Sequence, residues 1–63
     1  MNGNNRENIS QGQHVAVVKK EDQKSGELTE GIVQDILTNS ANHPHGIKVR
    51  LESGVVGRVK EIY

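Results

Sequence analysis

The sequence predicts an all-β fold, a small antiparallel barrel or half-barrel of four to five short strands. Three observations carry that expectation. Residues 47–52 alternate aliphatic Ile47, Val49 and Leu51 with charged Lys48, Arg50 and Glu52, the pattern of a strand with one dry face and one wet face. Elsewhere the apolar residues come in short, largely β-branched runs separated by stretches rich in Gly, Asn, Ser and His. The connections are short and glycines stand at the expected bends, which suits antiparallel neighbours closing into a barrel.

Residues 1–11 hold one apolar side chain besides the initiator, Ile9, and are expected to form a flexible polar tail that docks at most through Ile9. Residues 12–63 are then the single domain. The first strand is read over residues 14–19, where Val15, Val17 and Val18 are β-branched, with Gly12 before it and the polar loop 20–27 after it. Residues 28–37 carry Leu28, Ile32 and Ile36 on one parity and Val33 and Leu37 on the other. Their spacing also satisfies a helix, but Gly31 and the β-branched content favour a strand, bent at the glycine so that it buries one face before the bend and the other after it. Residues 38–46 lack periodicity; Pro44 holds His43 extended, and Pro44-His45-Gly46 suits a tight turn.

The last two strands follow from burial. A three-residue loop Glu52-Ser53-Gly54 with Gly54 left-handed puts Leu51 opposite Val55, Val49 opposite Gly57 and Ile47 opposite Val59. A two-residue loop would oppose Val49 to Arg58 and mix core with solvent, so the longer loop is expected.

Length and composition bound the function. A chain of 63 residues is one domain with a thin core, burying about 60% of its unfolded surface, and surface binding suits it better than a deep cavity. Cysteine is absent and no apolar stretch resembles an export signal or a membrane span, so a cytoplasmic protein with no membrane partner is expected, as a monomer. The Asn8-Ile9-Ser10 sequon is then a chance match. Net charge is zero, but unevenly distributed: residues 21–41 are acidic, while residues 42–63 hold Lys48, Arg50, Arg58 and Lys60 against Glu52 and Glu61. Tyr63 is the only aromatic residue, which counts against base stacking on a sheet, grooves for proline-rich peptides and methyl-lysine cages. Contact through charge and hydrogen bonds remains, to duplex or folded RNA or to an acidic protein surface.

The expected hairpin register sets Lys48 across from Arg58 on the outer face, with Arg50 and Lys60 beside them and Val56 pointing outward among them. Like charges opposed on a sheet repel, and a phosphate backbone resting there relieves the repulsion. The candidate nucleic-acid-binding residues are therefore Lys48, Arg50, Arg58 and Lys60, with Asn39, His43 and His45 in the adjoining loop as orienting contacts. The competing reading is a basic face kept for solubility and paired off by Glu30, Asp35 or Glu61. A protein-interaction module docking an acidic or extended partner through the 38–46 loop and an exposed strand edge is the alternative function. His43, His45 and His14 lack the ligand number and spacing of a structural zinc site, so no metal and no cofactor is expected. Ser40 with His43 is the one nucleophile–base pair close in sequence, without an elbow or a third member, so no enzyme is expected.

The run Leu28-Thr29-x-Gly31-x-Val33-x-Asp35-Ile36-Leu37-Thr38-Asn39-Ser40, followed by His43-Pro44-His45-Gly46-Ile47-Lys48-Val49-Arg50-Leu51 and Gly57-Arg58-Val59, resembles the YwbE family over nearly the whole chain. That resemblance implies a short stand-alone bacterial or archaeal protein and brings no activity or site with it. The pattern Ile9-x-x-Gly12-x-x-Val15-x-Val17, preceding a Gly-x-Val strand, is similar to small SH3-like barrels of KOW type. This second likeness implies an SH3-like barrel associated with RNA or with transcription and translation machinery. Relatives often carry basic residues where this chain has Glu30 and Gln34, so a binding face lined by that strand would hold anions less well.

Overall fold

A computed structural model describes residues 3–63 as a closed antiparallel barrel of four strands, β1 His14–Val18, β2 Thr29–Ile36, β3 Lys48–Leu51 and β4 Val56–Ile62. Each strand pairs with the next, and β4 returns to β1. The half-barrel alternative is thereby removed, and so is the exposed strand edge invoked for protein docking, because closure leaves no strand of the sheet at an edge.

Burial explains why these residues choose these strands. Val15, Val17, Val33, Val49, Leu51 and Val59 are buried together with Ile47 and Ile9, while Ile36, Val55 and Ile62 pack at the margin. Eight such side chains fill a barrel this small without any ring. The β3–β4 pairing has the expected register, with Val49 opposite Gly57, Lys48 opposite Arg58 and Arg50 opposite Val56. The Leu51 amide donates to the Val55 carbonyl at 2.7 Å, and Gly54 closes the loop with a left-handed φ of 95°.

Within residues 28–37 the structure is a strand, β2 Thr29–Ile36, and not a helix, but the strand changes face elsewhere than at the glycine. The register of β2 against β3 slips between Val33, which faces Leu51, and Asp35, which faces Arg50. That bulge turns Val33 inward before it and Ile36 inward after it. Gly31 has another role: a Cβ there would lie 2.7 Å from Leu51 Cδ1, so the glycine makes room for a core leucine. A second slip, between Ala16 and Val17, leaves Lys60 as the extra residue of β4.

Residues 1 and 2 of the supposed tail lie outside the described residues, but from Gly3 onward the segment lies against the barrel. The Gly3 carbonyl accepts from the Ile47 amide at 2.7 Å, the Asn4 carbonyl from the His43 amide at 2.9 Å, and the Arg6 amide donates to the Ala41 carbonyl at 2.8 Å. A 3-10 turn at Arg6–Asn8 then delivers Ile9, 4% exposed, into the core. Backbone hydrogen bonds rather than side chains hold most of this strap. The strap in turn pins the 38–46 loop, whose His43–Gly46 turn is closed by the Gly46 amide donating to the His43 carbonyl at 3.1 Å.

Candidate functional site

The β3–β4 register brings Lys48 and Arg58 side by side on the outer surface, and barrel closure supplies the facing wall. Val18 of β1 pairs with Arg58, and the chain leaving β1 folds into a 3-10 turn at Lys20–Asp22. A groove results, lined by Lys20, Glu21, Lys48, Val56 and Arg58 over a floor that includes Val18 and Gly57. Arg58 and Gln23 also line a second concavity with His45 and Lys60. The two concavities share a wall and form one cationic trough.

The expected site residues divide by their partners. Arg58 Nη1 donates to the Gly46 carbonyl at 3.1 Å, and Lys60 Nζ to the His45 carbonyl at 3.0 Å. These bonds fix the cations without neutralising them. The Lys48 ammonium has no partner among the described residues, and none of Lys20, Lys48, Arg58 or Lys60 forms an ion pair among them. Arg50 differs: its Nη1 lies 3.3 Å from Asp35 Oδ2, so the competing reading of an internally paired charge holds for this one residue.

His43 and His45 stand with ring centroids 5.7 Å apart, and His43 Nδ1 accepts from the His45 amide at 3.1 Å. That bond gives Nδ1 of His43 the acceptor role, so in the neutral ring the proton sits on Nε2. Partial burial, then the charge of Arg58 and the neighbouring His45, holds the His43 imidazole below its ordinary pKa. Asn39 is exposed and lines neither concavity, so nothing joins it to the trough. His14 belongs to a different part of the surface, bonded to Glu30 at 3.0 Å with its ring 4.8 Å from that of Tyr63. Glu30 and Gln34 line neither concavity. No hydrogen bond joins Ser40 to His43, and among the described residues no three histidine or carboxylate side chains gather where a metal could be held.

Sequence reasoning missed Lys20, Glu21 and Gln23, which it had placed in an unremarkable loop. The pairing of β1 with β4 carries that loop beside the hairpin, and only the Lys19-Lys20 pair hinted at a role.

Comparison with known proteins agrees with the resemblance read from the residues. The chain is 60% identical over 62 residues to a Bacillus subtilis (strain 168) protein described as "Uncharacterized protein YwbE", covering 98% of this chain and 95% of the relative. No solved structure gives a significant match. The family described as "Uncharacterized conserved protein (DUF2196)" matches residues 2–62, and with that span and that identity the chain belongs to it.

Proposed function

We propose that this protein is a non-enzymatic module that binds RNA or ribonucleoprotein through the trough, with Lys48, Arg58 and Lys60 contacting phosphates, His45 at its rim and His43 beside His45. One observation carries the reading: Lys48 and Arg58 stand opposed across a strand pair, and neither forms an ion pair among the described residues. Folding leaves that repulsion in place and a bound polyanion removes it. Lys20 adds a cation from the opposite wall.

Val56 favours this reading over an apolar docking surface. It is half-buried and shares its groove with Lys20, Lys48 and Arg58 instead of continuing into an apolar patch.

The test is an NMR amide titration with a short mixed-sequence RNA duplex at two salt concentrations. Shifts are expected at Lys20, Lys48, Arg58 and Lys60, with affinity falling as salt rises by nearly one counterion for each phosphate neutralised. Lys48→Glu should weaken binding to every sequence alike and lower the salt slope by about one or more. Binding that ignores salt, or shifts confined to the His14–Tyr63 side, would remove the reading in favour of a protein partner.

A further inference from the structure

The trough contains two side chains that a purely phosphate-binding surface does not need. Glu21 and Gln23 line it from the 3-10 turn, and neither side chain makes a hydrogen bond or ion pair among the described residues. Their neighbour Asp22 does the structural work of the turn: its carboxylate lies 3.6 Å from Lys19 Nζ, its carbonyl accepts from the Gly26 amide at 2.8 Å, and from Ser25 Oγ at 3.2 Å. The turn is therefore held without Glu21 or Gln23, whose polar ends remain available to a ligand.

A carboxylate beside Lys48 and Arg58 repels phosphate, so it weakens any ligand that offers phosphates alone. It becomes favourable only when the ligand also offers a hydrogen-bond donor close to its phosphates. Ribose with a 2′-hydroxyl does so, and A-form RNA displays these hydroxyls next to the backbone across a wide, shallow minor groove. Gln23, which can donate and accept, serves either side of the same hydroxyl. From this juxtaposition, and resting on the nucleic-acid reading above, we infer that Glu21 and Gln23 recognise ribose 2′-hydroxyls, so that the trough selects RNA over DNA.

The test compares the full chain's affinity for a short RNA duplex with that for the same duplex carrying 2′-fluoro ribose, which keeps the A-form shape but cannot donate. The protein should prefer the hydroxyl duplex by about fivefold for each hydrogen bond made. Glu21→Ala and Gln23→Ala should each reduce that preference. Glu21→Ala should in addition bind the fluoro duplex more tightly than the parent does, because a repulsion has been removed, while Glu21→Gln, which retains an acceptor, should keep part of the preference. Equal affinity for the two duplexes, or a preference untouched by both alanine variants, overturns the inference and leaves the phosphate reading standing so long as Lys48→Glu still weakens binding. Failure to bind either duplex, or indifference to Lys48→Glu, overturns both.

Discussion

Gly46 and Gly54 have the same left-handed backbone, φ 99° and 95°, in different surroundings. A Cβ at Gly54 would meet open space, so Gly54→Ala should cost only the left-handed penalty, about 1 kcal/mol. A Cβ at Gly46 would collide with the Val59 carbonyl oxygen, at the point where the 38–46 loop packs against β4, and Gly46→Ala should cost about 3 kcal/mol. Urea unfolding of the two variants orders them, and equal losses would mean that the approach to Val59 relaxes easily. His43 supplies a second test with a defined sign. Its pKa lies below the ordinary value of 6.5 in the folded chain, so the unfolded chain takes up that proton first as pH falls. The contribution to stability is intact above the ordinary value and is lost as pH drops through the folded one. His43→Asn should therefore flatten the decline of the urea midpoint between about pH 7 and pH 5, against a parent measured in parallel.

At the scale of elements, the N-terminal strap is the part whose importance differs most from its composition. Ile9 sits in the core cluster, and Ile9→Ala should cost about 2 to 4 kcal/mol, a large share of what a core this size supplies. Because the strap also carries the carbonyls that accept from Ile47 and His43, the same variant should speed amide exchange at those two positions before it affects β1. Exchange that rises uniformly would show that strap and loop are not a local unit. The contrast with the last hairpin explains what was legible. Residues 47–59 state their register twice, in alternation and in the turn glycine, and both agree. The strap states nothing in side chains except Ile9. In β2 the change of face was legible from the parity of Val33 and Ile36, but its position was not, since a bulge at Gln34 leaves no compositional mark and Gly31 offered a more conspicuous but mistaken place for it.

At the scale of the whole molecule, zero net charge conceals a surface divided by closure. The hairpin cations were legible because neighbours on one strand pair share a parity, whereas Lys20, Glu21 and Gln23 reach the same trough only through the long-range pairing of β1 with β4, which no local pattern specifies. Arg50 faces outward as alternation predicts, and it meets Asp35, one of the carboxylates the competing reading named, beside the β2 bulge. That pair offers a way to ask how far neutrality limits the trough. Both side chains are about half exposed, so the bridge adds little to stability, and Asp35→Asn should change the unfolding free energy by less than about 1 kcal/mol. Its effect on binding should be larger in kind: Arg50, opposite Val56 at the trough's edge, becomes an uncompensated cation able to engage one more phosphate. Affinity for an RNA duplex should then rise at low salt, and the slope of log K against log salt should steepen by about one. The double variant Asp35→Asn with Arg50→Gln should return to the parental slope or below it. If Asp35→Asn left the slope unchanged, Arg50 would lie beyond reach of the bound backbone, and the phosphate-contacting surface would end at Lys48 and Arg58.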